Sequence, residues 1–558
     1  RCGDAAPGPI FMTTRGRRLL AAPSDTSQQE GGEGVRECLL SCFKLTSLPT
    51  RCRVKCKTNR GKEAIRLNRH MRRGITYFCA LALAAGSAVA ASTITTRTLQ
   101  AQYADISLEV SGQKITLTDA KGNPVEPFAV DGTVYIPARA LGDILGKEVL
   151  WDASTHTVSV GKAPLMEDAE TLISAVEGSH PAFLLNRVPE GYAAARQAML
   201  DTAGDPASTA ADFAWSALAY TASLRDGHTS INPFGNGAQA LLDIGWAADV
   251  GHLYLTDETG AVTETEVTAI GGLPVSDVFS AVDKYFAAEN QSARDLNHAY
   301  WAANKNLLFK AGAAFSEDFS GMAVTVDGED RTVDFAVPDT ASAAGAGIVS
   351  TERKGGVFYV DLNQCVLGEA VDAAAAELAQ AVMSGTNKVI IDVRGNGGGS
   401  SDACLQLLHA MDMEAPAYGG FVRYSELALD QYQPYKRGYA KTEGSDVQAP
   451  DLSTAKANPK IELVVLTDEN TYSSATMLGV WVQDGKLGTV IGRPSSNAPS
   501  SYGDILYFML DNIAAQGTVS HVRWQRPDTN ADQETLVPDV ETAVGEDALQ
   551  AALDYLAR

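Results

Sequence analysis

Residues 387–400 read NKVIIDVRGNGGGS: an apolar run, Val389 to Val393, that ends on Arg394 and passes into a glycine loop before a polar stretch. A short apolar run bounded by glycines is the pattern of a strand buried on both faces. Its neighbours repeat the theme. GVFYVDL (356–362) reads as a strand, EAVDAAAAELAQAVM (369–383) as a helix and SDACLQLLHAM (401–411) as another helix. After a polar excursion, KIELVVLTDENTYSSATMLGVWVQDG (460–485) gives strand, loop and helix again. Such alternation predicts βαβ units, an α/β core with a parallel sheet over 346–558 and functional loops at the carboxyl ends of its strands.

Upstream, the stretch 165–345 divides in two. From Met166 to about Thr229 the apolar residues recur at helical spacing, and from Asp243 to Val337 the chain turns to strands and short helices. Residues 104–162 have the pattern of a separate small α+β unit: ISLEVSGQKITLTD alternates, KGNPVEPF supplies turn residues, TVYIPARALGDILG gives a strand, a proline and a short helix, and KEVLWDASTHTVSVG closes with strands. His156 stands alone there and reads as a surface strand residue. Residues 91–103, rich in Thr, Ser and Gln, read as a tether.

Residues 71–92, MRRGITYFCALALAAGSAVAAS, combine two arginines, an apolar run and small residues at Ala88 and Ala90. This is the form of a secretory signal peptide over 71–90, and the run falls short of the ~20 residues that span a bilayer. The expected product is a secreted or cell-surface bacterial protein beginning near Ala91, with no stable membrane span after cleavage. Residues 1–70 then read as an upstream segment foreign to the mature protein. Cys38-x3-Cys42 and Cys52-x3-Cys56 within it are too loosely spaced to argue for zinc.

The chain carries 45 Lys/Arg, 68 Asp/Glu and a net charge of −23. Residues 1–70 hold 14 of those bases and 6 of those acids, leaving 31 basic against 62 acidic side chains in the rest. Such a body repels phosphate backbones and anionic bilayers, which argues against nucleic-acid binding. Only Cys365 and Cys404 lie in the expected mature chain, in apolar surroundings that suit buried free thiols better than a disulfide framework.

Two strand ends carry chemistry-bearing residues. The cluster Gly395 to Gly399 leaves backbone N–H groups uncovered and permits close approach of another segment. A nucleotide loop fits poorly, because no Lys follows in GxxxxGK[ST] spacing and the GxGxxG fingerprint is incomplete. A tight turn or an oxyanion hole remains. Beyond Leu466, Thr471-Tyr-Ser-Ser-Ala-Thr476 precedes the helix beginning near Met477, and Ser473 there is either an ordinary N-cap or a nucleophile.

Taken together, Asp392-x-Arg394-x-Asn396-x-Gly398-Gly399 and Thr471-x-Ser473, with Gln483-Asp484 and Ile491-Gly492 downstream, resemble the tail-specific (C-terminal processing) and tricorn-like serine peptidase family. The likeness runs from about Ala169 to Val540 and implies a ClpP/crotonase-like catalytic core. It also implies Ser473 as nucleophile, the amides of Gly398 and Ser474 as oxyanion donors, peptide or protein substrates and no cofactor or metal. Tail-specific members place an activating lysine about 25 residues after the serine; Ala498 stands here, and Lys486, the one lysine beyond Ser473, lies in a helix-end turn. The other branch uses histidine and an acid. Leu224-Arg-Asp-Gly-His228-Thr229 resembles its Asp-x-His signature and makes His228 the expected base, with His180 and His521 in reserve. For the acid, the resemblance points to Glu534, with Asp528 and Asp532 as alternatives.

The small unit resembles the copper-amine-oxidase-like N-terminal, or stalk, domain of exported proteins. The likeness rests on Val130-Asp-Gly-Thr133, Tyr135-Ile-Pro-Ala-Arg139, Leu145-Gly146 and Val149-x-Trp151-Asp152, and it suggests cell-wall association. VTAIGGLPVSDVFSAVDKYFAAEN (267–290) resembles a substrate-placing insert of the peptidases. The expected function is therefore a secreted or surface serine endopeptidase. Its alternative is a catalytically degenerate surface protein that binds peptides or wall polymer. An esterase reading lacks the Gly-x-Ser-x-Gly elbow.

Overall fold

The computed structural model describes residues 98–558 apart from 111–112, 120–121, 145–148, 153–155, 162, 236, 339–346 and 432–443. The expected signal peptide and everything before it lie outside the described residues. The chain divides into two compact units, with the boundary after Trp151.

In the smaller unit, Leu108–Val110 pairs with Gln113–Ile115, and Phe128–Val130 pairs with Thr133–Tyr135. The second hairpin turns on Asp131 and Gly132, both at positive φ (48° and 81°), the geometry whose twist suits a two-residue β-turn. Phe128 and Tyr135 stack at 5.4 Å across it. Pro137 then opens the helix Ala138–Ile144.

In the larger unit, one sheet carries the glycine loop and the serine motif. Its strands are β1 (Val349–Lys354), β2 (Val357–Leu362), β3 (Lys388–Asp392), β4 (Glu462–Thr467), β5 (Thr489–Gly492) and β6 (Val540–Glu541), adjacent in that order. β1 runs antiparallel to β2, and every later pair is parallel. Four helices belong to it: α1 (Glu369–Met383), α2 (Ser401–Ala410), α3 (Ser474–Asp484) and α4 (Ala548–Leu556). Both faces are covered. Val360, Val389, Ile391, Leu463 and Val465 pack with α1, α2 and α3, while Tyr359, Ile390, Val464 and Leu466 pack with Ala548, Ala552 and Leu556 of α4. Residues alternating between two buried faces explain why these strands read as unbroken apolar runs.

Three further assemblies frame this core. The helices Pro164–Ser179, Tyr192–Gly204 and Ala210–Ala222 confirm the helical reading of that stretch, and they share a core with the long hairpin Tyr502–Leu510 and Ala515–Gln525. That hairpin joins Gly419–Tyr424, Gly444–Gln448 and Ser230–Asn232 in an antiparallel sheet that the sequence pattern did not announce. Between 241 and 336, a seven-stranded antiparallel sheet encloses its own core with the helix Val275–Tyr285. Cys365 and Cys404 are buried free thiols, as expected. Among the described residues, no helix is long and apolar enough to cross a membrane.

Candidate active site

The carboxyl ends of β3 and β4 converge on one point. At the end of β3, Asp392 pairs with Arg394 through Nε–Oδ1 (2.9 Å) and Nη2–Oδ2 (2.6 Å) and accepts the Tyr359 hydroxyl at 2.7 Å. That carboxylate keeps Arg394 firmly charged against the cost of its burial. At the end of β4, half-buried Asp468 accepts the Gly395 amide at 2.9 Å and the Thr471 hydroxyl at 3.2 Å. Burial pushes the Asp468 carboxyl up to about 6. Asn396, fully buried, donates to the Leu362 carbonyl (2.7 Å) and accepts the Tyr472 amide on its own carbonyl (2.9 Å). These bonds stitch the glycine loop to the segment leading into α3.

Ser473 stands at the N-terminus of α3 with φ 54° and ψ −123°, a conformation L residues avoid and strained by ~1–3 kcal/mol. Its side chain makes no cap bond, so the ordinary N-cap role is absent. The Ser473 amide is tied to Asn497 Oδ1 at 3.0 Å. Gly398, at φ 96°, lies against it: a Cβ there would stand 2.6 Å from Ser473 Cβ, 2.8 Å from the Tyr472 carbonyl oxygen and 3.0 Å from the Ser474 nitrogen. Ser474 directs its hydroxyl to the Gly399 carbonyl (2.8 Å), away from a nucleophile's role. Ser473, Ser474 and Gly398 thus meet as the sequence suggested. One difference concerns the oxyanion donors: the Gly398 amide donates to Asn396 Oδ1 at 2.8 Å, so it must turn from that partner before it can hold an oxyanion.

His228 enters from the turn after the helix Ala210–Ala222. Its ring lies 4.8 Å from that of Tyr472, the residue before Ser473. Nδ1 is 3.5 Å from the Tyr472 hydroxyl and 3.8 Å from Asp226 Oδ1, and Nε2 is buried with no hydrogen-bond partner among the described residues. No hydrogen bond joins His228 to the Ser473 hydroxyl, a spacing common before substrate draws catalytic groups together. Burial opposes the imidazolium. The nearby carboxylate of Asp226, with the charges of Glu289 and Asp504, outweighs it, so His228 titrates above the ordinary histidine value.

Asp226 is the buried hub of this turn. It accepts the His228 amide (3.0 Å) on Oδ1, and Thr229 Oγ1 (2.6 Å), Ser520 Oγ (2.7 Å) and His180 Nε2 (3.1 Å) on Oδ2. His180 Nδ1 accepts the Ala182 amide, which leaves the proton on Nε2 to donate to Asp226. Against the penalty of burial, the His180 and His228 imidazoles hold Asp226 well below the usual carboxylate range. His180 is therefore a support of the carboxylate, and His521, whose Nδ1 meets the Asp504 carbonyl, is buried elsewhere in the same sheet.

The acid expected from sequence lies at an exposed position. Glu534 keeps its side chain at the surface, and its backbone carbonyl accepts Asn290 Nδ2 at 3.1 Å. Asp528 and Asp532 belong with the Arg526 segment, where Asp484 pairs with Arg526 at 2.7 Å. Asp226 and Glu289 face His228 instead. Ligand atoms of Asp226, His228 and Glu289 lie within 4.8 Å of one another. Both carboxylates accept several of the protein's own donors, which suits the trio to acid–base work. Where the lysine of the tail-specific branch would stand, the Ala498 amide donates to Glu289 Oε2 at 2.9 Å. Lys486 is exposed at the far end of α3.

A parallel sheet delivering a glycine loop and a strained serine to one edge defines a serine-type peptidase core. Residues 356–542 match the family model described as Peptidase family S41, and residues 78–160 match that of the Copper amine oxidase N-terminal domain. Over 356–542 the chain is thus similar to family S41 peptidases, and over 78–160 to the copper amine oxidase N-terminal domain. No curated protein matches the chain. Among solved structures, mature CPAF aligns at 13% identity and TM-score 0.47, covering 71% of this chain and 95% of that one. The photosystem II D1 C-terminal processing protease aligns at 14% and 0.38, covering 69% and 98%. An S41 protease from Bacteroides fragilis aligns at 15% and 0.33, covering 69% and 96%.

Proposed function

We propose that this serine-type peptidase is an endopeptidase acting through an acyl-enzyme on Ser473, with His228 as general base. The observation that carries the reading is the strained Ser473 packed against a glycine whose every substitute would collide with it. His228 Nε2 takes the Ser473 hydroxyl proton as Oγ attacks the scissile carbonyl carbon. The carbonyl π electrons move to oxygen, and the oxyanion is received by the Ser474 amide and, once turned from Asn396, the Gly398 amide. The imidazolium then protonates the leaving amine, the C–N bond breaks, and water repeats the sequence to release the acid and restore Ser473. Asp226 orients the ring and stabilises its cation, the part sequence reasoning gave to Glu534.

Export and surface display complete the proposal: the signal-like segment 71–90 supports secretion, with a mature chain beginning near Ala91. The N-terminal domain would associate with the cell wall. The Gly398 amide bound to Asn396 favours a second reading, a degenerate enzyme that retains peptide binding. Assay of an unstructured peptide substrate decides between them. The wild-type protein should cleave it and Ser473→Ala should not; a wild-type protein that binds without cleaving supports the degenerate reading.

A further inference from the structure

Glu289 follows the helix Val275–Tyr285 and lies outside the S41-matched segment, yet its carboxylate gathers the site. Oε1 accepts the Tyr472 hydroxyl at 2.8 Å and the Gly227 amide at 3.2 Å. Oε2 accepts Asn497 Nδ2 at 2.8 Å and the Ala498 amide at 2.9 Å. Burial raises the titration of this carboxyl, while the four donors on its two oxygens favour the ionised form. Three segments are joined: the His228 turn, the approach to Ser473 and the loop after β5. A Cβ on Gly227 would fall 2.2 Å from the Tyr472 hydroxyl, so the closeness of the first two depends on that glycine.

Each partner of Glu289 passes its position on. The Tyr472 hydroxyl spends its one proton on Glu289, so towards His228 Nδ1, 3.5 Å away, it can only accept. That places the imidazole proton on Nδ1 and leaves Nε2 as a lone pair, the state a general base needs. Asn497, held through its Nδ2, turns Oδ1 onto the Ser473 amide at 3.0 Å and so braces the strained nucleophile.

We propose that Glu289 is the positioning residue of this active site, holding the His228 tautomer through Tyr472 and the Ser473 backbone through Asn497. The proposal rests on the reading of Ser473 and His228 given above. The ionisable groups facing His228 are Asp226 on its own turn, Tyr472 before α3, Glu289, and Asp504 on the strand Tyr502–Leu510; His180 acts through Asp226. Glu289 is one of three anions that raise its titration.

Steady-state kinetics across pH on full-length protein tests this with Glu289→Gln and Tyr472→Phe beside Ser473→Ala and His228→Ala. Glu289→Gln should lower kcat at least about tenfold with KM little changed, since orientation and not substrate contact is lost. It should also move the acidic limb of kcat/KM to lower pH, because one anion facing the imidazolium is gone. Tyr472→Phe should lower kcat with a smaller movement of the limb, since the Glu289 charge stays, and it serves if Glu289→Gln does not fold. Wild-type kcat in both variants, or lost activity with an unmoved limb in Glu289→Gln, overturns the proposal. If Ser473→Ala or His228→Ala remains active, the underlying assignment fails instead, an outcome these controls separate from a failure confined to Glu289.

Discussion

Gly398 and Ser473 occupy complementary backbone conformations: φ is 96° at one and 54° at the other, and a side chain on the first would begin 2.6 Å from the Cβ of the second. Each explains the other. The serine stands half-buried and uncapped at a helix N-terminus because its backbone is bent out of line, and the glycine loop can lie over it only because it carries no side chain.

Gly398→Ala should therefore cost both fold and activity. The nearest atoms are backbone and Cβ, which cannot swing aside, and the residue is held at positive φ. Hydrolysis should fall by at least ~10²-fold, the loss typical of one missing oxyanion donor. The check is kcat on a variant whose circular dichroism shows it folded; wild-type turnover contradicts the packing described.

Ser473→Gly should be inactive yet more stable. Relief of ~1–3 kcal/mol of backbone strain outweighs the ~0.5–1 kcal/mol glycine loses in chain entropy, giving a net gain of about 1 kcal/mol. Chemical denaturation measures it. A destabilised Ser473→Gly would mean that the strain is not stored at this residue.

The pH dependence follows from the sign of the His228 shift. The base must be neutral to accept the Ser473 proton, and its titration is raised, so kcat/KM should climb through a midpoint above the reference histidine value of ~6.5. His228→Ala should lower kcat by at least ~10²-fold. Lys486→Ala should change nothing, since Lys486 lies exposed at the opposite end of α3 from Ser473. A dead lysine variant beside an active histidine variant reverses the assignment.

Asp226 and Glu534 make a contrasting pair. Asp226→Asn leaves His180 and two hydroxyls around a weakened acceptor in a fully buried site, and should cost about 3 kcal/mol or more. Because the folded Asp226 titrates below its unfolded value, its contribution is present above about pH 4 and is lost as pH falls through the folded value. Glu534→Gln, at an exposed position, should match wild type in melting temperature and turnover. An inactive, folded Glu534→Gln would restore the acid the resemblance pointed to.

What the sequence revealed depended on range. The strands β2, β3 and β4 were legible because burial on both faces leaves an unbroken apolar run, and Ser473 and Gly398 were legible because each sits at the end of such a run. His228 was found through a short motif that already contained Asp226, two of whose partners lie within three residues while His180 and Ser520 stand 46 and 294 residues away, beyond the reach of local pattern. Glu289 left no local signal at all: its bonds to Gly227, Tyr472 and Asn497 span 62, 183 and 208 residues. The sheet built on Tyr502–Leu510 and Ala515–Gln525 was missed for a similar reason. Its polar positions Ser520 and His521 are buried, the first bonded to Asp226 from a remote turn and the second to Asp504 on the paired strand.

The most direct test of the central claim is covalent. A fluorophosphonate probe reacts with an activated serine and with few others, and Ser473 and Ser474 lie side by side with opposite roles: one strained with no cap bond, the other bonded to the Gly399 carbonyl. Mass spectrometry of the labelled protein should place the adduct on Ser473, with labelling abolished by Ser473→Ala and slowed by His228→Ala. An adduct on Ser474, or unchanged labelling in folded Ser473→Ala, would contradict the account.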